Sequence, residues 1–457
     1  MGKTLSRGQS LRRSGVVLIT TMAIVLVLTS LLLSTAGRVR SSMHAEAGRA
    51  ASVEARWIAE GAARAVAATL RREIQAGEAP ALADMPVEAG QLGGGLYWII
   101  GRDYETDDRP VFGLVGESSK LNLNRAVAAD LLRLPGMDSG LAAAVADWRD
   151  PDEDLTEGGA ESDYYLAQDP PYRAKNADLE TVSELLLIRG FDRQILYGED
   201  RNRNGVLDPN ENDGDRSFPP DNADGQLDRG LFDVATTWTR NSVQWVGGRK
   251  THVDDASPEE LRNAVAQVVS GARAAQVADA IVNGRRYETL STAMLASGAT
   301  VAEARALNYR LVEISRDEPG VVDILTAAPG VIDAIDDLEV GDGERIESAR
   351  RTVGDDSDLQ WVRDTVGPDK FRQLDDDISF GSEQYSADIL AVTGDGRAFC
   401  RLFVVIDAGL FEGPRIVFVE DLTHHGWPID PQILADLRAG VSPETFAQRS
   451  GLTGRSR

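Results

Sequence analysis

Residues 200–211 read Asp-Arg-Asn-Arg-Asn-Gly-Val-Leu-Asp-Pro-Asn-Glu, which meets the twelve-residue EF-hand loop pattern at every defining position. Asp200, Asn202 and Asn204 offer side-chain oxygens, and Gly205 permits the sharp turn between them and the rest of the loop. Val206 offers its backbone carbonyl, Asp208 a direct or water-bridged oxygen, and Glu211 both oxygens of its carboxylate. Calcium is large and hard and tolerates such a crowd of oxygens, whereas magnesium is too small for it. Calcium is therefore the expected cofactor. Its role would be structural, neutralising packed carboxylates and ordering a polar loop. Complete flanking helices are not expected, because Pro209 and Asp213-Gly214 are poor helix formers. A second acidic stretch, 221–228, reads as an incomplete copy. Asp221, Asp224 and Asp228 are its candidate ligands. It lacks a proper first ligand, and Leu231 stands where the bidentate Glu belongs; Asp213, Asp215 or a neighbouring loop would have to complete it.

No catalytic constellation accompanies these oxygens. There is no nucleophile motif, no phosphate-binding glycine loop and no metal-water site with a base nearby. The single cysteine, Cys400, sits in the apolar run 398–406 and reads as a small buried hydrophobe. The four histidines, His44, His252, His424 and His425, show no zinc-ligand spacing. The chain is not expected to be an enzyme. Its 48 Lys and Arg against 73 Asp and Glu leave a net charge of −25, which argues against general nucleic-acid binding.

A chain of 457 residues is too long for one compact core, so two or three folded units must position these groups. The amino terminus decides where they work. Residues 1–15 are short and basic, with Lys3, Arg7, Arg12 and Arg13, and end in Ser14-Gly15. An uncharged run rich in Val, Ile and Leu follows over residues 16–36. At about 1.5 Å per residue it spans a hydrocarbon core of roughly 30 Å. The positive flank predicts a cytoplasmic amino terminus. Two readings compete. A signal peptidase would cut near Ser34-Thr35-Ala36 and discard the apolar run. A prepilin-type peptidase would cut between Gly15 and Val16 and keep it. Residues 38–74 contain no proline, and Val53, Trp57, Ile58, Ala62, Val66, Leu70 and Ile74 fall at helical spacing. The apolar segment is thus predicted to run on as one amphipathic helix, which favours the second reading.

This arrangement resembles the type IV pilin-related proteins, which combine a basic leader, a Gly before the cut, an apolar helix and a small α+β head. Most such proteins carry Glu at the fifth mature position, where this chain has Thr20. Lack of that Glu resembles the K-type minor pseudopilin. A carboxylate in lipid needs a cationic partner, and a subunit with no neighbour ahead of it needs no such carboxylate.

Gly93–Gly95 breaks the helical pattern, and residues 96–100 and 111–115 then read as strands around an acidic loop. From Ser119 the pattern turns helical: residues 125–134, a Pro135-Gly136 turn and residues 139–150 are predicted to form a helix-hairpin-helix. The segment Leu131-Leu-Arg-Leu-Pro-Gly-Met-Asp, then Ala146-Asp-Trp-Arg-Asp-Pro-Asp, Gly159-Ala160-Glu161, Tyr164, Pro171-Tyr172, Lys175-Asn176 and Ser183-Glu184-Leu185 resembles, in order, the first helical domain of the K pseudopilins of type II secretion. Such hairpins also bind DNA, but Asp138, Asp147, Asp150 and Asp152 around this one would repel phosphate. Residues 258–282 read as helix with Ser257 as N-cap and Glu260 three residues later. Residues 321–351 repeat the first hairpin loosely. The runs 385–392 and 397–406, joined by Gly394-Asp395-Gly396, read as a hairpin, and residues 415–420 as a third strand.

The expected fold is α+β: a long membrane-spanning helix, a pilin-like antiparallel sheet and a large inserted all-α region. Its segments are a leader (1–15), a stem (16–76), the first part of the head (77–118), the helical insertion with the calcium loop (119–315), a second helical subdomain (316–360), the closing strands (361–430) and a tail with a short helix (431–457). The resemblance implies a single-pass inner-membrane protein, bulk periplasmic, at the tip of the secretion pseudopilus. Its partners would be I- and J-like minor pseudopilins, the prepilin peptidase and the inner-membrane components of the system, with calcium used structurally. Alternatives are a minor pilin of a type IV pilus or DNA-uptake machine, and a secreted calcium-binding module.

Overall fold

The structure, a computed structural model, describes residues 8–80, 89–102, 107–284, 289–313, 317–335, 338–374 and 377–449. With no proline and no run of breakers in its first 76 residues, the chain forms one helix, α1 (Gly8–Ala76), of 69 residues. At 1.5 Å per residue that is about 100 Å. Its two halves differ in kind. The first exposes Val17, Leu18, Ile19, Leu26, Leu31 and Leu33, and carries a stretch long and apolar enough to cross a membrane, with a mean hydropathy of 2.5 and none of it buried. The hydroxyls of Thr20, Thr21, Thr29 and Thr35 donate to the carbonyls of Val17, Leu18, Val25 and Leu31. Those polar groups therefore need no water.

The second half of α1 lies on an antiparallel sheet. Ala55, Ala59, Ala62 and Ala63 bring the helix close, and Ile58, Val66, Leu70 and Ile74 fill the space against Ile99, Ile389, Leu402, Val404 and Ile406. Each fully buried aliphatic side chain contributes about 1.5–3 kcal/mol. Two positions predicted to share this stripe do not. Val53 and Trp57 are 55% and 64% exposed, because the buried stripe runs through the alanines on the neighbouring face.

The sheet has six strands: β1 (Gly90–Leu92), β2 (Gly95–Ile100), β3 (Val115–Gly116), β4 (Gln384–Val392), β5 (Phe399–Asp407) and β6 (Arg415–Asp421). The order is β1-β2-β4-β5-β6, with β3 also on β4. The predicted hairpin and third strand are β4, β5 and β6. The predicted strand over 111–115 is corrected: only Val115–Gly116 pairs with β4, while Phe112 makes a single bridge to Ile100. Pro110 and Gly113 interrupt a longer ladder. β2 reaches β4 across the whole insertion, with Ile100 opposite Asp388 and Leu96 opposite Val392. Strand β4 is buried at all nine positions. Beneath it, on the face away from α1, Leu434 and Leu437 of the helix Gln432–Arg438 pack on Trp98, Leu390 and Val392.

Between β3 and β4 lies the helical insertion, whose core runs from Leu121 to Phe380 as one cluster. Two helices flank the Pro135-Gly136 turn, α2 (Ala128–Leu131) and α3 (Ser139–Arg149). The first is shorter than residues 125–134, because the chain closes three-residue turns on either side of it, from Arg125 to Asn122 and from Leu134 to Leu131. Ser257 caps the helix Pro258–Val265 in a reciprocal box with Glu260, as its spacing predicts. The helices Gln360–Val366 and Pro368–Leu374 fall in the span assigned to closing strands, yet Val362, Phe371 and Leu374 pack into the helical core. The fold is therefore α+β, with an apolar amino-terminal helix, an antiparallel sheet and a large helical insertion.

Candidate functional site

The acidic loop 200–211 follows a short helix, Arg193–Tyr197, that Asp192 caps. The side chains of Asp200, Asn202, Asn204, Asp208 and Glu211 all hydrogen-bond within the loop. Asp200 is buried; its Oδ1 accepts the Asn204 N–H at 2.9 Å and its Oδ2 the Gly205 N–H at 2.8 Å. Asn202 Oδ1 also accepts from Asn204 N at 2.9 Å, and Asn204 Oδ1 accepts from Val206 N at 2.8 Å. The amide nitrogens of Asn202 and Asn204 both donate to Asp208 Oδ2, at 2.6 and 3.1 Å. Glu211 closes the ring, its two oxygens accepting the N–H groups of Arg201 (2.9 Å) and Asp208 (3.2 Å). Gly205 sits at φ +73°, where a side chain would be strained.

This enclosure is costly for charge. Burial first, and then the Asp200 carboxylate, push Glu211 up to about 8. Burial also raises Asp200, against the opposing pull of Arg102. The donor set is all oxygen, of mixed charge, in a glycine-hinged loop, and it fits a calcium-type ion. The second stretch is joined to the first by a carboxylate not counted among its ligands. Glu199, almost fully buried, accepts the N–H groups of Asn222 (3.1 Å) and Asp228 (3.2 Å). Asp221 accepts from Asp213 N and Gly214 N at 3.0 and 2.7 Å, Asp224 from Gln226 N at 2.8 Å, and Asp228 from the Asn222 amide at 2.9 Å.

The loop is also fastened to the sheet. Arg102, just past β2, donates to the carbonyl of Arg203 at 2.8 Å and pairs with Asp233 at 3.2 Å. The Arg203 guanidinium lies 3.8 Å over the Phe232 ring and pairs with Glu420 of β6 at 3.1 Å. Neither arginine stands out in the sequence, since no local spacing ties it to the loop.

A second acidic group was read in the sequence only as a barrier to phosphate and as part of an ordered motif. Asp147 and Asp150, one helical turn apart at the end of α3, meet Glu161, the N-cap of the helix α4 (Ser162–Leu166). Among the described residues these are the three acidic side chains whose ligand atoms all lie within 4.8 Å of one another; Asp200, Asp208 and Glu211 do not form such a trio. The i, i+3 spacing of Asp147 and Asp150 was the available signal. That Glu161 returns to them was not legible locally. Gly15 and Val16 both lie within α1.

Residues 111–197 match the family model described as type II secretion system (T2SS), protein K. A curated relative, the type II secretion system protein K of Klebsiella pneumoniae, is 30% identical over 157 residues, covering 32% of this chain and 48% of that protein. The match thus spans about half the length of that relative. Among solved structures, one chain of the GspK-GspI-GspJ complex from the enterotoxigenic Escherichia coli type 2 secretion system is similar at a TM-score of 0.37 and 13% identity, over 84% of this chain and 99% of that one. The resemblance to protein K read from the ordered motifs is borne out over the first helical unit.

Proposed function

We propose that this chain, which carries the first helical unit of type II secretion protein K, acts as a minor pseudopilin at the tip of a secretion pseudopilus. The observation that carries the reading is the division of α1 into two continuous halves, one an exposed apolar stretch and the other an alanine-rich face packed on the sheet. A signal sequence has no need to be continuous with the helix that anchors a folded head. A stem does, because the head must be held rigidly at the membrane and later on the fibre. In this reading a prepilin peptidase cuts between Gly15 and Val16, the apolar half crosses the inner membrane once with its amino terminus cytoplasmic, and the rest is periplasmic.

The wide helical insertion favours an end position, because a subunit of that bulk would collide with its own copies along a tight helical fibre. I- and J-like minor pseudopilins are the expected stem partners, and the chain works with the inner-membrane secretion components by assembly and not by catalysis. Calcium in loop 200–211 is structural: it compensates Asp200 and Glu211 and holds the insertion against the sheet. Mass spectrometry of the membrane-purified protein tests the reading. A mature amino terminus at Val16 supports it, and one at Gly37 overturns it in favour of a secreted module.

A further inference from the structure

We infer that Arg38 and Arg40 form a collar on α1 that grips anionic phospholipid headgroups on the side of the membrane away from the leader. The inference rests on the proposed reading, in which the apolar half of α1 spans the bilayer. The uncharged run ends at Ala36. At 1.5 Å per residue, Arg38 lies about 3 Å and Arg40 about 6 Å beyond that point. The polar layer on each side of a bilayer is roughly 5–7 Å deep, so both α-carbons fall within it. Residues two apart on an α-helix point about 200° apart, so the two guanidinium groups leave the stem on opposite sides. Nothing described in the chain compensates them. Both are exposed, and neither makes a hydrogen bond, ion pair or ring contact with another described residue. Arg49, further along, is different, since it pairs with Glu46 at 2.7 Å. The head does not reach back this far: Ala51 is the first described residue of α1 to be buried, about 20 Å along the helix from Arg38.

Lys and Arg normally gather on the cytoplasmic flank of a membrane helix. Lys3, Arg7, Arg12 and Arg13 follow that pattern, and Arg38 and Arg40 run against it. Cutting after Gly15 takes away the four leader cations and leaves a single α-amino group there. The pair past Ala36 then carries the larger flanking charge of the mature stem. A guanidinium presents a planar fork of N–H donors that matches two phosphate oxygens, and its aliphatic stem lies comfortably along apolar surface. A phosphate diester with net negative charge supplies both the acceptors and the missing charge. A zwitterionic headgroup supplies the acceptors, but its own cation offsets the attraction. The collar thus selects anionic lipid. It fixes how deeply the mature stem sits, and it holds the stem from the periplasmic leaflet once the leader has gone.

The test uses the membrane-purified chain reconstituted in vesicles of equal parts phosphatidylcholine and phosphatidylglycerol. Native mass spectrometry after mild detergent extraction counts the lipids that stay bound. Wild type should retain phosphatidylglycerol over phosphatidylcholine by about fivefold for each arginine, the equivalent of about 1 kcal/mol. High salt should reduce that preference. Arg38→Gln with Arg40→Gln should abolish it, and Arg38→Lys with Arg40→Lys should keep most of it. Any leader cations still present are common to all these proteins, so the difference between them isolates the collar. Neither arginine touches the head, so the variants should melt as wild type does. Equal retention of the two lipids by wild type overturns the collar alone. An undiminished preference in the double glutamine variant does the same, and is the outcome expected if the arginines serve a partner's carboxylates instead. If alkaline carbonate strips the wild-type chain from the vesicles, the membrane-spanning reading itself fails, and the collar with it.

Discussion

Arg401 of β5 is fully buried, and it holds the Asp388 carboxylate of β4 and the carbonyls of Asn202 and Arg203 at once. Its Nε and one terminal nitrogen meet Asp388 at 2.8 and 2.5 Å, and its terminal nitrogens reach the Asn202 and Arg203 carbonyls at 2.6 and 2.5 Å. One guanidinium thus spends its donors on both the sheet and the acidic loop. The planar fork makes this double duty possible, and a lysine would not reproduce it. The relationship ties the proposed calcium loop to the sheet on which the stem is seated.

Arg401→Met should be severely destabilising, because it leaves Asp388 buried without a partner. Breaking one side of such a pair costs about 3–5 kcal/mol. A shift of the denaturation midpoint measures it. Arg401→Met with Asp388→Asn should recover part of the loss; no recovery would mean that the loop carbonyls, and not Asp388, dominate.

Calcium should raise the melting temperature of the wild-type protein, and chelation should lower it. At a free calcium concentration of 100 times Kd, one site adds about 2.7 kcal/mol. Glu211→Gln should remove most of the share due to loop 200–211. An unchanged calcium response in this variant would exclude Glu211 as a ligand.

Gly15→Val should block maturation if a prepilin peptidase processes the chain. The accumulated protein would keep residues 1–15, visible as added mass on the membrane-purified chain. Normal processing of this variant would remove Gly15 from the recognition site.

Gly95→Ala tests how closely α1 and β2 are packed. A methyl group there would run into the Val392 carbonyl of β4 and the Ile58 side chain of α1. Overpacking of this kind costs about 1–3 kcal/mol. A neutral effect in chemical denaturation would show that the stem does not sit tightly on the sheet.

Ser257→Ala removes one half of a capping box and should cost about 1 kcal/mol. The loss should appear as faster amide exchange in the first turn of the helix Pro258–Val265. Protection equal to wild type would show that tertiary packing alone holds that turn.

The elements legible in the sequence were those governed by near neighbours. An uninterrupted apolar helix, the Gly394-Asp395-Gly396 hairpin, the Ser257 cap and the spacing of loop 200–211 are all set by residues a few positions apart, where periodicity and turn chemistry act. Tertiary structure alone decided what depends on distant partners. It placed Val53 and Trp57 off the buried stripe, reduced the ladder near Val111 to Val115–Gly116, and drew the helices Gln360–Val366 and Pro368–Leu374 into the helical core. It also brought Glu161 back onto Asp147 and Asp150, and set Arg401 against Asn202. The cause is the same in each case. Burial and charge compensation belong to the space around a group, and only the closed chain determines which residues share that space.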